Sequence, residues 1–441
     1  MSTSTPRIHA GLTKAQVRSS LWLFNWSLCL RAVFDTFSGG SSFVFAAFVL
    51  SLGIPKEFMG FINSALSMAC ILQLLGLVLI NRAENKKHFV LGVGLTEPLL
   101  LIAAVLAVPL LPPGARIYGI AGAAFLAAAT LHLTRPMADE WLASTVPEGV
   151  RGRFLGRRFQ WQGAALIVAS LTAGQMVEHV GKSNAPALAG MVALGAVFGV
   201  AAVLTLFRAE MPAISAAARV QWSDLRGALT QAEFRRYLAG LLLYNLPFLL
   251  AVPYYQVFNL EVLSMRESLI GYMLAGYLLV RMVLFAYWGR QVDRHGPRYV
   301  FLLIGPLYVL FFLGLMAATR GRLWPVMVAW GLAGVGDAAF NVALAAALYG
   351  AVPHTPARPA YFALSNLVVM APFVFGGAMA VPILKALAGV RVQLGPLVLG
   401  QFQCFYGLLG LVMIPCILAG RYFVGRRETE PVSPAELRPD R

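Results

Sequence analysis

The sequence alternates long apolar runs with short polar segments. About twelve of the runs can cross a bilayer, because a spanning helix needs about 20 residues. Lipid offers the backbone no hydrogen-bond partner, so runs of this length fold as helices. The sequence therefore predicts an all-α integral membrane protein with 12 transmembrane helices. The predicted spans are residues 30–52, 57–80, 88–110, 117–144, 157–179, 185–207, 237–260, 268–288, 299–318, 323–350, 361–387 and 396–423.

The long polar segment at residues 208–236 divides these spans into two sets of six. We expect an N-terminal six-helix bundle over residues 30–207, a central loop over 208–236 and a C-terminal six-helix bundle over 237–423. Residues 1–29 form a tail and lead-in, and residues 424–441 form a second tail. The first 20 residues are polar and lack the apolar core of a signal peptide, so we expect them to remain as a tail.

Charged residues make up 12% of the chain, against roughly 25% in soluble domains. The net charge of +16 does not indicate a nucleic-acid partner, because the cations occupy short loops instead of one basic face. The four cysteines lack disulfide or zinc spacing, the six histidines are scattered, and no phosphate-binding loop is present. We therefore expect a protein of the lipid bilayer that has no cofactor or metal and is not an enzyme.

The cations also predict the orientation in the membrane. Apart from four cations inside the spans, alternate segments counted from the N-terminus, with the span ends beside them, contain 24 lysines and arginines, and the opposite segments contain seven. Lysine and arginine concentrate in cytoplasmic loops. We therefore expect a multi-pass protein of the cytoplasmic (inner) membrane with both termini and the central loop in the cytoplasm.

The loop between the eighth and ninth spans carries a charged motif. It reads Gly289-Arg290-Gln291-Val292-Asp293-Arg294-His295-Gly296-Pro297-Arg298. The pattern Gly-x-x-x-Asp-Arg-x-Gly-x-Arg resembles the loop signature of the major facilitator superfamily, a large family of secondary transporters. The resemblance implies two six-helix bundles related by pseudo-twofold symmetry, with a solute site between them near the midplane. It also implies that the two glycines let the helices turn and approach, while Asp293, Arg294 and Arg298 make charge contacts that close one face of the carrier.

Weak internal repeats support a duplicated six-helix unit. Arg151 matches Arg358 at an offset of 207 residues, and a second match has an offset of 211 residues. Carrying the loop motif back by 211 residues places Arg82 where Asp293 stands, so the first-half copy has lost its aspartate. We therefore expect closure on that side to depend on other contacts.

The fourth span carries the densest group of polar side chains. His132, Arg135 and Asp139 are spaced i, i+3, i+7 and so share one helical face. The repeat relates them to Asp337 and Asn341, one turn apart in the tenth span. The resemblance implies that the first, fourth, seventh and tenth helices line the cavity, with the two groups facing each other. Alternatively, Arg135 and Asp139 only neutralise each other within one helix.

Other polar groups inside spans are candidates because a charge in the membrane is costly unless it is paired or lines water. Asp35 in the first span either reaches toward the interface or faces the cavity. Glu97 and Arg281 are either proton-coupling groups or parts of buried structural pairs. The two tyrosines of the seventh span belong either to a solute site or to an outer aromatic belt. The seventh-span candidates are Asn245, Tyr254, Tyr255 and Gln256.

A second charged group follows the fourth span, where Arg151 and Arg153 begin the fifth. This segment and the 289–298 loop lie on the same predicted side of the membrane and carry opposite charges. We therefore predict that Asp293 pairs with these arginines or with the helix N-terminus beside them, which would close the cytoplasmic side.

The leading hypothesis is a secondary active transporter that moves a small polar organic solute by alternating access. Arg135 and Arg281 favour an anionic solute, and the acids inside the spans predict coupling to a proton or another cation. Uptake is favoured over export because the fifth span lacks the Gly-Pro antiporter motif. The competing hypotheses are an exporter of the same fold and a membrane sensor or scaffold that does not transport. We expect a monomer.

Overall fold

A computed structural model describes residues 12–40, 42–54, 66–181, 184–217, 219–353, 355–395 and 397–423. These residues are overwhelmingly helical, which confirms the predicted fold class. The helices before the midpoint are α1 (Lys14–Phe37), α2 (Phe43–Ser51), α3 (Gln73–Leu79), α4 (Lys86–Ala107), α5 (Pro113–Thr145), α6 (Arg151–Val180) and α7 (Ala185–Leu206). Those after it are α8 (Trp222–Thr230), α9 (Ala232–Ala251), α10 (Glu267–Ala317), α11 (Trp324–Ala351), α12 (Arg358–Ala386) and α13 (Gln401–Phe423).

Seven helices in the described ranges are long and apolar enough to cross a membrane by length and composition. They are Lys86–Leu110, Pro113–Thr145, Ala185–Leu206, Leu269–Ala317, Trp324–Ala351, Arg358–Gly376 and Gln401–Leu418. The 49 residues of Leu269–Ala317 would extend about 74 Å at 1.5 Å per residue, enough for two crossings. A shorter apolar helical stretch covers Leu66–Arg82, the described part of the second predicted span.

The chain reverses inside α10 at a single residue. Gly296 has φ 77° and ψ 163°, a backbone conformation that is essentially restricted to glycine. Pro297 then begins the next helix, where its missing N–H costs nothing. The prediction of a ten-residue loop over 289–298 was too long, because helical geometry continues on both sides of Gly296.

The start of the chain also differs from the prediction. The first span was placed at residues 30–52, but α1 begins at Lys14 and ends at Phe37, before α2 begins at Phe43. A capping box explains the early start: the Thr13 hydroxyl accepts from the Gln16 N–H, and the Gln16 side chain accepts from the Thr13 N–H. The polar first turns of α1 therefore belong to the helix and not to a tail.

Two further segments depart from the expectation. The central segment 208–236 is not a plain loop, because it contains α8 and the first turn of α9. Between α12 and α13, strands β1 (Val392–Leu394) and β2 (Leu397–Leu399) form an antiparallel hairpin that the apolar pattern does not predict.

The chain separates into two compact units. Unit 1 contains Met1–Val146, Trp161–Ala228 and Pro353–Leu367, and unit 2 contains Pro147–Gln160, Leu229–Val352 and Val368–Arg441. Each unit therefore includes a short segment from the opposite half of the sequence. The bundle boundaries at 30–207 and 237–423 remain a prediction.

In unit 1, two glycines of α7 let α1 approach closely. A Cβ at Gly195 would lie 2.4 Å from the Phe37 Cβ, and one at Gly199 would lie 2.5 Å from the Phe34 ring. Small residues permit such close helix packing where the surrounding lipid is as apolar as the side chains. This packing fixes the face of α1 that carries Arg31.

In unit 2, Gly336 likewise lets α10 and α11 approach closely. A Cβ there would lie 2.8 Å from the ring of Tyr308. The neighbouring ring of Phe248 meets Tyr308 edge-on, with centroids 4.7 Å apart. The Tyr308 side chain is thus held against α11 next to Asp337.

Candidate functional site

Arg31 of α1 is shared by two carboxylates in unit 1. Its Nε lies 2.8 Å from Asp35 Oδ1, while its Nη1 and Nη2 lie 2.5 Å and 2.8 Å from the two oxygens of Glu97 on α4. The Glu97 side chain is 8% exposed and the Asp35 side chain 45% exposed. The bidentate pair is therefore buried, and the second carboxylate is the accessible one.

The α5 group lies in the same unit. Arg135 Nε is 3.7 Å from Asp139 Oδ2, too far for a good hydrogen bond, and the Asn366 amide donates to the same oxygen at 3.0 Å. Arg135 and Asp139 thus do pair within their helix, but loosely. His132 is buried on the same helix.

The depth of these charges matters for their role. Arg135 lies ten residues before Thr145, the end of α5, which is about 15 Å along the helix or half of a ~30 Å hydrocarbon core. Asp35 lies two residues before the end of α1, beside the break between α1 and α2. The side chains of Arg135 and Asp139 are 42% and 36% exposed. Charges that are this deep and this exposed indicate an opening for water, because exposure to lipid would be costly.

Unit 2 holds a second polar group around Asp337 in the middle of α11. Its two carboxylate oxygens accept hydrogen bonds from the hydroxyls of Tyr277 at 2.6 Å and Tyr308 at 2.7 Å. Arg281 Nη1 lies 3.5 Å from the Tyr277 hydroxyl oxygen, and its guanidinium carbon lies 5.2 Å from the Phe285 ring centroid. One carboxylate and one guanidinium are thus joined through a tyrosine hydroxyl.

The remaining candidates of unit 2 divide by their contacts. The amides of Asn341 and Asn245 donate to the carbonyls of Asp337 and Leu241 in their own helices, at 2.7 Å and 3.0 Å. Both tyrosines of this group pack against aromatic rings. Tyr255 contacts Phe311, Trp330 and Tyr406. Tyr254 contacts Phe402 and Phe405. Tyr255 therefore packs among aromatic rings of unit 2. The side chain of Gln256 lies outside the described residues.

Asp293 makes the contact that its charge predicted. Its Oδ1 accepts the Gly152 N–H at 2.6 Å, and its Oδ2 accepts the N–H and the Nε–H of Arg153 at 2.8 Å and 3.1 Å. These backbone groups belong to the first turn of α6, whose N–H groups lack helical partners and carry partial positive charge. Burial raises the pKa of Asp293 above its ordinary value, and the bonds from Arg153 and Gly152 offset part of the rise. Arg151 instead lies over the Tyr349 ring, 5.6 Å from its centroid.

The glycines of the two segments allow this contact. A Cβ at Gly152 would lie 2.4 Å from the carbonyl oxygen of Gly289, and a Cβ at Gly289 would lie 2.4 Å from the carbonyl oxygen of Gly152. A Cβ at Gly156 would lie 2.4 Å from the Phe285 oxygen. Gly289 therefore serves close approach, whereas Gly296 serves the turn.

Comparison with known proteins agrees with this architecture. Residues 238–440 match the model of the Major Facilitator Superfamily. Similar solved structures cover more than nine-tenths of the chain. Together, the match over the second half and the similar structures show that the chain has the major facilitator fold. A search of curated proteins found no significant match.

Three of the similar structures illustrate the shared major facilitator fold. A bacterial homologue of the iron transporter ferroportin in an outward-facing state has TM-score 0.64 and 12% identity, covering 93% of this chain and 98% of its own. The E. coli fucose:proton symporter has TM-score 0.69 and 12% identity, with coverages of 92% and 98%. A proton:xylose symporter bound to 6-bromo-6-deoxy-D-glucose has TM-score 0.68 and 13% identity, with coverages of 94% and 97%. At these identities the similarity shows the fold alone.

The structure also contains a buried ion pair that sequence reasoning missed. In unit 1, Arg358 Nη1 lies 3.2 Å from Glu140 Oε1 and 2.5 Å from Ser144 Oγ, and the Ser144 hydroxyl donates to the same Glu140 oxygen. The side chains of Arg358 and Glu140 are 2% and 1% exposed. The one available signal was the repeat, since Arg358 occupies the position of Arg151.

The same offset of 207 residues explains why this pair differs from the second-half contact. It places Lys86 at the position of Asp293, where the offset of 211 residues places Arg82, so by either offset the first-half copy carries the opposite charge. Lys86 donates to the Ala216 carbonyl at 3.0 Å, and Glu140 is the acid that meets Arg358. The expectation that other contacts replace the lost aspartate remains a hypothesis about function, and this pair is its physical candidate.

Proposed function

We propose that this protein is a secondary active transporter that moves a small polar organic solute across the cytoplasmic membrane by alternating access. The observation that carries the proposal is the set of deep, exposed charges in unit 1, because a membrane protein retains such charges where water or solute enters. Arg135 lies only loosely against Asp139, so its guanidinium is free to exchange that contact for an anionic solute group. Arg281 offers the corresponding cation in unit 2.

The sharing of Arg31 by two carboxylates, Asp35 and Glu97, supports proton coupling. When the accessible Asp35 takes up a proton, it loses its attraction for the guanidinium, while the buried pair with Glu97 persists. Protonation would thus change the charge that the solute meets without unpairing a buried arginine. The fucose:proton and proton:xylose symporters have the same fold, which supports this assignment and favours uptake.

The cytoplasmic gate in this proposal consists of two contacts, Asp293 with the first turn of α6 and Glu140 with Arg358. Both involve a segment that one half of the sequence contributes to the opposite unit. Opening toward the cytoplasm would require both contacts to break. The excess of cations on this side supports a cytoplasmic position for both termini as well.

The first test is a thermal-shift screen of the purified protein against sugars, organic acids, amino acids and nucleosides at two pH values. A ligand at 100 times its Kd stabilises the folded state by about 2.7 kcal/mol. We expect at least one hit, lost in Arg135→Ala and retained in Arg391→Ala, which removes an exposed arginine near the β1–β2 hairpin. A hit that Arg135→Ala leaves unchanged would refute the assignment of the solute site.

The second test is flux of that solute in proteoliposomes. We expect an inward proton gradient to accelerate uptake, and we expect Asp35→Asn to abolish the acceleration while solute counterflow continues. Gradient-driven efflux would identify an exporter instead. Binding without uptake, efflux or counterflow would refute transport and support the sensor hypothesis.

A further inference from the structure

An apolar crevice in unit 2 opens beside the 289–298 segment. It encloses about 460 Å³ of empty space, including its open mouth. Tyr237, Leu241 and Tyr244 line it from α9 at spacing i, i+4, i+7, and Arg298 and Leu302 line it from α10 one turn apart. Phe340 of α11 closes the inner end with Tyr244, since the two rings stack 5.5 Å apart.

The shape and position of the crevice suit the end of a lipid chain lying along the helix. Tyr237 and Tyr244 are seven residues apart, so the crevice extends about 10 Å along the helix axis. Leu302 is 39% exposed at its rim, and the adjacent Leu303 and Tyr299 are 45% and 44% exposed on the same helix. The mouth therefore borders an apolar outer surface of unit 2.

The charge at the mouth selects among lipids. Burial of an acyl chain in the crevice gives little preference for one lipid over another, because the bilayer already offers every acyl chain an equally apolar environment. Arg298 lies at the loop end of the crevice, and Arg235 and Arg236 are exposed in the turn before Tyr237. Arginines near a membrane surface attract anionic headgroups by about 1 kcal/mol each, which is about fivefold in affinity.

We propose that this crevice binds one anionic phospholipid, with an acyl chain against Tyr244 and the phosphate at Arg298. The lipid would come from the leaflet on the side of Gly296, which is the cytoplasmic leaflet in the orientation proposed above. The site is separate from the charges of the proposed solute pathway. Its existence does not depend on the protein being a transporter.

The inner end of the crevice gives the bound lipid a route to the Asp337 group. Tyr244 meets Tyr308 edge-on at 5.8 Å, and the Tyr308 hydroxyl bonds Asp337 at 2.7 Å. A chain that presses on Tyr244 therefore acts one ring away from the half-buried carboxylate of Asp337.

The test is native mass spectrometry of the full-length purified protein titrated with phosphatidylglycerol or phosphatidylcholine of identical chains. We expect one saturable phosphatidylglycerol that binds more tightly than phosphatidylcholine. Arg298→Gln should weaken it about fivefold, and Arg294→Gln, which removes an exposed arginine of the same segment, should not. Leu302→Trp should block binding, whereas Leu303→Trp, at the adjacent exposed leucine, should not.

Three results would overturn the proposal. The first is equal binding of the two lipids, and the second is equal weakening by the two arginine variants, which would indicate only general attraction to the loop. The third is unchanged binding in Leu302→Trp. All variants are first compared with the original protein by circular dichroism and gel filtration, and Leu303→Trp shows whether an added indole on this helix is tolerated.

Discussion

Removing one partner of the Glu140–Arg358 pair should destabilise the protein strongly. At 3.2 Å and an effective dielectric constant of about 20, the attraction between the two charges is about 5 kcal/mol. Glu140→Gln keeps the shape but leaves the arginine charge buried without its ion partner, a change that typically costs about 3–5 kcal/mol. For a unit of this size 1 kcal/mol lowers Tm by about 2–4 °C. We therefore expect Tm to fall by about 6–20 °C.

The assay is intrinsic tryptophan fluorescence during heating in detergent. The chain has eight tryptophans, and Trp141 next to Glu140 is fully buried with its ring 5.2 Å from that of Phe24. Because the loss comes from a buried charge whose neighbouring carboxylate has been removed, the double variant Glu140→Gln/Arg358→Met should recover most of the stability.

Arg391→Met controls for loss of an exposed arginine and should change stability by no more than about 0.5 kcal/mol. A Glu140→Gln effect as small as this control would refute the reasoning. A double variant no more stable than Glu140→Gln would refute it as well.

Three further outcomes are expected. Asp293→Asn should weaken the hydrogen bonds from the first turn of α6 by about 1.5–3 kcal/mol, because the acceptor loses its charge. We expect this variant to increase labelling of cysteines introduced on the cytoplasmic side. Unchanged labelling and flux would contradict the gate. Gly152→Ala should destabilise by about 1–3 kcal/mol because its Cβ would lie 2.4 Å from a carbonyl oxygen, whereas Gly174→Ala, in the same helix with nothing within 4 Å, should not lower Tm. Tyr308→Phe should lower stability by about 1–3 kcal/mol by removing a hydroxyl donor from Asp337, and an unchanged Tm would show that this bond contributes nothing.

Several features of the fold could be predicted from local sequence. The apolar runs identified the helical segments, because backbone groups in lipid must bond within their own helix. The 289–298 motif identified the turn at Gly296, because the turn needs a glycine. It also identified the contact of Asp293, because Asp293 is the one acidic residue of the motif. The start of α1 could also have been predicted, since Thr13 and Gln16 form a capping signal. The segment was instead assigned to a tail because it is polar.

The partners of the buried polar groups could not be predicted in the same way. Glu140 and Arg358 are 218 residues apart, and Asp337 lies 60 residues from Tyr277 and 29 from Tyr308. A helix that is apolar on nearly every face has no amphipathic direction, so its sequence does not set which side chains point inward.

The sequence by itself determined which segments are helices, where the chain can turn and which loop carries the motif, because these follow from hydropathy and from special backbone residues. Only the tertiary structure decided which charges meet. Helix rotation depends on close packing at sites such as Gly195 against Phe37 and Gly336 against Tyr308, and that packing brings Arg31 to Glu97 and Tyr308 to Asp337.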